Sequence, residues 1–147
     1  MNLNPLNIML ADDDADDCIF FKDALTELLQ STHLTIVNDG EQLMQLLTND
    51  EKELPDVLFL DINMPRKNGF ECLSEIKCNE KLKQLSVIMF STSNNQEKIS
   101  KLFRNGAHIY IHKPADFAQL KQVIRHALPM ATDEIFSNGH VKYILNA

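Results

Sequence analysis

Short runs of apolar residues alternate along this chain with longer stretches in which apolar residues recur every third or fourth position. Leu6 to Ala11 reads as a strand, and Ile19, Phe20, Ala24, Leu25, Leu28 and Leu29 follow it with helical period. Leu34-Thr35-Ile36-Val37 is β-branched. The turn signal Asn38-Asp39-Gly40 leads from it into Leu43, Met44, Leu46 and Leu47, a second helix. After a polar loop from Thr48 to Pro55 comes Val57-Leu58-Phe59-Leu60, which has no polar face, ends on Asp61 and breaks at Pro65. Both sides of such a segment must be covered, as in the central strand of a parallel sheet. Phe70, Leu73 and Ile76 predict a third helix. Val87-Ile88-Met89-Phe90 is another all-apolar strand, ending on Ser91, Thr92 and Ser93. A fourth helix carries Ile99, Leu102 and Phe103 and stops at Asn105-Gly106. Ile109-Tyr110-Ile111 is the fifth strand. His112-Lys113-Pro114 follows, and then a helix with Leu120, Val123, Ile124, Ala127 and Leu128, which Pro129 is expected to end.

Strand and helix in strict alternation predict an α/β fold, a doubly wound five-stranded parallel sheet with helices on both faces, because each right-handed crossover needs a helix. The domain is expected over residues 6–128, with 129–147 as a C-terminal tail. Asn138-Gly139 would make that tail a short hairpin, and without it the segment would be mobile.

Composition narrows the function classes. At 147 residues there is room for one domain with a full core. The 14 Lys and Arg against 21 Asp and Glu give a net charge of −7. With no basic cluster in the chain, nucleic acid and anionic membrane surfaces are not expected partners. Cys18, Cys72 and Cys78 are odd in number and lack metal-ligand spacing, so they read as reduced thiols. The longest apolar stretch near the N-terminus, Ile8 to Ala11, is too short for a signal peptide or a membrane span. A cytoplasmic protein is expected.

A parallel sheet gathers its strand C-termini on one edge, and ligands of open α/β sheets bind there. Asp12, Asp13, Asp61, Ser91 and Lys113 should therefore converge. Clustered carboxylates repel one another and call for a hard divalent cation, most simply Mg²⁺. With that charge offset, one carboxylate can attack phosphorus while a lysine and a hydroxyl bind the phosphoryl oxygens. Asp61, alone on the central strand, is the candidate nucleophile, and Asp12 and Asp13 suit the metal. Asp14 reads as an N-cap, with Asp16 and Asp17 complementing the helix dipole. An alternative on the same residues is a Mg²⁺-dependent phosphatase with an aspartyl nucleophile. Such enzymes use a second Asp two positions on; Asn63 stands there after Asp61, whereas Asp12 as nucleophile would have Asp14 there. An EF-hand fails because Asp17 occupies the place of its turn glycine. An FMN site fails because the acidic loop would repel a phosphate.

The acidic pair after the first strand, Asp61-Ile-Asn-Met-Pro with Gly69 beyond, the hydroxyl ending the fourth strand and Tyr110-Ile-His-Lys113-Pro114 together resemble the receiver domain of two-component response regulators, of the chemotaxis-regulator type. The resemblance implies a flavodoxin-like sheet of order 2-1-3-4-5. It makes Asp61 the phosphoacceptor, with Asp13, Asp61 and the Asn63 carbonyl binding Mg²⁺ and Asp12 assisting through water. It further makes Ser91 the switch hydroxyl, Lys113 the phosphoryl partner and Tyr110 the switch aromatic. Read by itself, Tyr110 would be a half-buried strand residue. The Lys113–Pro114 peptide is expected to be cis. Ala115 departs from the aromatic common at its position. The function so implied is that of a single-domain response regulator, a signalling protein and not an enzyme. It would receive its phosphoryl group from a histidine kinase or histidine phosphotransfer protein and act on a downstream protein target or relay, as a monomer or weak homodimer.

Overall fold

The computed structural model describes residues 5–29, 31–132 and 143–145. Its elements run β1 (Leu6–Ala11), α1 (Ala15–Leu28), β2 (Thr32–Val37), α2 (Gly40–Leu47), β3 (Val57–Leu60), α3 (Gly69–Cys78), β4 (Ser86–Ser91), α4 (Gln96–Arg104), β5 (Ile109–His112), α5 (Phe117–Ala131) and β6 (Tyr143–Leu145). The strands form one sheet in the order β2-β1-β3-β4-β5-β6, with every neighbouring pair parallel. β3 is central, as its all-apolar sequence requires, and all four of its residues are buried.

The two-residue period of the strands divides the apolar runs between two cores. Met9, Ala11, Leu58, Leu60, Val87 and Met89 face α2, α3 and α4, where they meet Leu43, Cys72, Leu73, Ile76 and Leu102. Ile8, Leu10, Val57, Phe59, Ile88 and Phe90 face α1 and α5, meeting Phe21, Leu25, Leu120 and Ile124. On that second face the rings of Phe21, Phe59 and Phe90 pack edge to face, with centroids 4.8, 5.8 and 6.1 Å apart.

Local chemistry starts α1 and α3 and stops α4. Asp14 caps α1 by accepting from the Asp16 and Asp17 amides. Asn68 and Glu71 form a reciprocal capping box at α3. After α4 the chain turns through Asn105 into Gly106 at φ 105°, a left-handed conformation that favours glycine.

Three expectations are corrected. The sheet has a sixth strand where five were expected, because Tyr143–Leu145 pairs in parallel with β5. The Asn138-Gly139 turn proposed for a hairpin lies outside the described residues. Pro129 does not end α5, which runs on to Ala131. Proline forfeits one helical hydrogen bond, and here the flanking Leu128 and Ala131 stay buried while the ring itself is exposed, so packing holds the helix together. Finally, no peptide is cis among the described residues, Lys113–Pro114 included. The isomers before proline differ by only about 0.5–1 kcal/mol, so the surroundings and not the dipeptide choose between them.

Truncating the central ring tests this packing. Phe59→Ala should lower unfolding free energy by about 3–5 kcal/mol, since its side chain is wholly enclosed. Ile19→Ala, at a residue 59% exposed, should change it by less than about 0.5 kcal/mol in the same urea titration.

Candidate functional site

Asp12 and Asp61 are the residues immediately after β1 and β3, Ser91 is the last of β4, and Lys113 follows β5. Backbone hydrogen bonds tie these ends together. The Asp61 amide donates to the Ala11 carbonyl (3.0 Å), the Asp12 amide to Val37 (3.0 Å) and the Lys113 amide to Ser91 (2.9 Å). Register between strands thus sets the spacing of the side chains. Among the described residues the buried polar side chains are Asp12, Asp61 and Ser91, and all three lie on this edge.

Oxygen atoms of Asp12, Asp13 and Asp61 come within 4.8 Å of one another, with Asp12 and Asp61 buried and Asp13 exposed. Lys113 Nζ lies 2.7 Å from Asp12 Oδ2, 2.9 Å from Asp17 Oδ2 and 3.6 Å from Asp61 Oδ2. It also stands 5.3 Å from the centre of the Phe90 ring. Asp12 accepts a further hydrogen bond from the Asp14 amide (3.0 Å), which turns the acidic loop back over the strand end.

These surroundings set the charges. Burial pushes Asp61 up to about 6, with Asp12 adding to the rise while Lys113 and the Ile62 and Asn63 amides oppose it. Asp12 is likewise raised by burial, against its hydrogen bonds from Lys113 and Asp14. For Lys113, burial acts against the ammonium, but hydrogen bonds from it to Asp12 and Asp17 and the charge of Asp61 hold its pKa above the ordinary value. One cation therefore faces several carboxylates. The donors are all oxygen, the set a hard divalent cation prefers, so Asp12, Asp13 and Asp61 fit a metal of that kind.

Gly69 explains how Asp61 is seated. A Cβ there would sit 2.3 Å from the Asp61 carbonyl oxygen and 2.8 Å from Ile62 Cα, far inside contact distance. The Gly69 amide instead donates to the Ile62 carbonyl at 2.8 Å. The first residue of α3 is thereby pressed against the end of β3. Asn63, two residues past Asp61, is exposed.

Ser91 and Tyr110 share a second set of contacts. Ser91 Oγ accepts from the Ser93 amide at 3.3 Å. Tyr110, 1% exposed, donates its hydroxyl to the Ser93 carbonyl at 2.6 Å. Both thus engage one residue of the loop between β4 and α4. Tyr110 is more deeply buried than its sequence alone implied.

Every sequence-predicted site residue lies on this edge or beside it. Asp17 was assigned only to the helix dipole, yet its carboxylate reaches Lys113. The sequence held no local signal of this, because the two residues stand 96 positions apart.

Known proteins agree with this picture. The response regulator receiver domain family matches residues 8–125. Response regulator Rcp1 of Synechocystis sp. is 27% identical over 125 residues, covering 82% of this chain and 85% of that protein. The probable C4-dicarboxylate response regulator DctR of Bacillus subtilis is 33% identical over 143 residues and 95% of this chain, which spans 61% of that protein's length. Among solved structures, the Mn²⁺-bound form of Rcp1 superposes with a TM-score of 0.78 at 26% identity, covering 84% of this chain and 95% of its own. The phosphorylated cyanobacterial phytochrome response regulator RcpA gives 0.78 at 31%, covering 84% and 91%. Among the described residues no helix is long and apolar enough to cross a membrane.

The raised pKa of Asp61 has a measurable consequence in metal-free protein. The folded state holds the Asp61 proton more tightly than the unfolded chain, so this group's contribution is complete below about pH 4 and is lost as pH rises through about 6. Two units correspond to on the order of 2–3 kcal/mol. In chelator, Asp61→Asn should therefore be more stable than wild type at pH 7 by an amount of that order. The difference should vanish near pH 4 in paired urea titrations.

Proposed function

Because the chain belongs to the response regulator receiver domain family of two-component signalling, we propose that Asp61 accepts a phosphoryl group from a phosphohistidine of a histidine kinase or phosphotransfer protein. The observation that carries this reading is the placement of one buried carboxylate at the end of the central strand, 3.6 Å from Lys113 Nζ, with two further carboxylates beside it. As Asp61 Oδ bonds to phosphorus, the phosphorus–nitrogen bond of the donor breaks and its electron pair returns to the imidazole. Asp61 must be ionised to attack, and its pKa of about 6 leaves it mostly so at neutral pH.

Asp12, Asp13 and Asp61, with the carbonyl of the exposed Asn63, would hold Mg²⁺, which offsets the carboxylate repulsion and the charge of the phosphoryl oxygens. The Mn²⁺-bound Rcp1 and phosphorylated RcpA structures support both elements of this assignment by similarity. Lys113 supplies the fixed positive charge on the other side. Ser91 supplies a hydroxyl that can donate to a phosphoryl oxygen.

The aspartyl phosphate acts as a switch. It adds roughly −1.5 to −2 charges by analogy with other phosphorylated residues. Hydrogen bonds to charged groups contribute about 1.5–3 kcal/mol each, and moving a population from 1:99 to 99:1 takes about 5.5 kcal/mol. Ser91 and Lys113 together are of that size. When Ser91 turns to the phosphoryl group, its contact with the Ser93 amide changes, and Ser93 is the residue that holds the Tyr110 hydroxyl. The signal then leaves through the surface of α4, β5 and α5 to a downstream protein target or relay. The acidic balance, without a basic cluster, favours neither nucleic acid nor membrane as that target, and the setting is cytoplasmic. The chain is a phosphoacceptor, with no substrate turned over beyond its own phosphoryl group.

Incubation with Mg²⁺ and acetyl phosphate should add the mass of one phosphoryl group to wild type, in a base-labile linkage. Asp61→Asn should show no gain in the same intact-mass measurement, and retention of the gain would refute the assignment.

Ser91→Ala should still gain the phosphoryl mass. Its Tyr110 ring resonances should stay near their unphosphorylated positions, whereas those of wild type move. Equal movement in both proteins would remove Ser91 from the switch.

A further inference from the structure

Lys113 is claimed by two carboxylates, and only one of them belongs to the acidic centre. Its ammonium donates to Asp12 Oδ2 at 2.7 Å and to Asp17 Oδ2 at 2.9 Å, and it remains 3.6 Å from Asp61 Oδ2, outside hydrogen-bond reach. Asp12 and Asp61 share the group of oxygens that meets within 4.8 Å, and Asp17 is outside it. A shift of Nζ toward Asp61 is therefore a shift toward a group of oxygens that includes Asp12 and not Asp17. Asp17 sits in the first turn of α1, on a helix whose position is set by packing against the sheet, so its backbone is fixed there.

We propose that Asp17 is a positioning residue that competes with the phosphoryl group for Lys113. The proposal rests on the reading of Asp61 as phosphoacceptor and Lys113 as its partner. An ammonium has three donors, and two are engaged before any phosphoryl group arrives. The third donor is left for one phosphoryl oxygen, and a second phosphoryl contact is made by giving up Asp17. The unphosphorylated state is favoured by that contact, and the phosphoryl group is held less tightly than Lys113 alone would allow. The Asp17 side chain is 40% exposed, so solvent screens the pair and the effect is several-fold, not orders of magnitude.

Removing Asp17 also removes a negative charge near the site, so the comparison needs a charge control. Asp16 provides it. It lies in the same first turn, is exposed, and makes no ion pair with Lys113 among the described contacts.

The test is a titration of the phosphoryl analogue beryllofluoride at saturating Mg²⁺, with occupancy followed by fluorine NMR. Asp17→Asn should bind it about threefold to fivefold more tightly than wild type, the gain expected from losing a partly exposed pair. Asp16→Asn should change affinity by less than about twofold by through-space charge alone. Asp17→Glu, which keeps the charge with one more methylene of reach, should return toward wild type. Equal affinity of Asp17→Asn and wild type, or equal gains for Asp17→Asn and Asp16→Asn, would overturn the proposal while leaving Asp61 as phosphoacceptor. Absence of beryllofluoride binding by wild type, or undiminished binding by Asp61→Asn, would overturn the underlying reading as well.

Discussion

The arrangement depends on keeping several carboxylates beside one ammonium at the closed edge of a sheet. Asp12 and Asp61 are buried, and ionised groups away from water cost several kcal/mol each unless they are paired or coordinated. Lys113 meets part of that cost and is held charged by doing so. The remainder is an imbalance, visible in the raised pKa of both aspartates. A site under this tension favours whatever brings positive charge. The same constraint explains the geometry nearby, where Gly69 lets α3 press against Asp61 and Asp14 draws the acidic loop over Asp12.

The acidic edge is linked to the loop between β4 and α4 through one residue. Ser91 and Tyr110 are on adjacent strands and both hold Ser93, one through its amide and the other through its carbonyl. Tyr110 is also paired in register with Ile144 on β6, so the outermost strand is one step from Tyr110. Leu145 packs against the core of α1 and α5, whereas Ile144 is half exposed. The edge beside β5 is thus formed by the chain's own C-terminal residues.

Much of the fold was legible because the signals are local and repeated. The all-apolar β3 could only be a doubly covered strand, and the alternation of short apolar runs with helical periodicity could only be a parallel sheet. Asp14, Asn105 and Gly106 acted through neighbours a few residues away, which is why their roles were readable. Pro129 and Tyr143–Leu145 were misjudged for the opposite reason. A proline's penalty can be outweighed by burial of Leu128 and Ala131, and three residues carry too little pattern to announce a strand whose partner lies more than thirty positions earlier.

For the site, the sequence by itself determined which residues stand at strand ends, since apolar runs terminate on Asp12, Asp61, Ser91 and Lys113, and parallel strands must end on one edge. Only the tertiary structure decided how the charges are shared among them. Lys113 lies closer to Asp12 and Asp17 than to Asp61, and Tyr110 turns fully inward, because side-chain distances depend on register, on helix placement and on a glycine's missing Cβ. Those quantities arise from contacts between residues up to a hundred positions apart, and short-range periodicity carries no record of them.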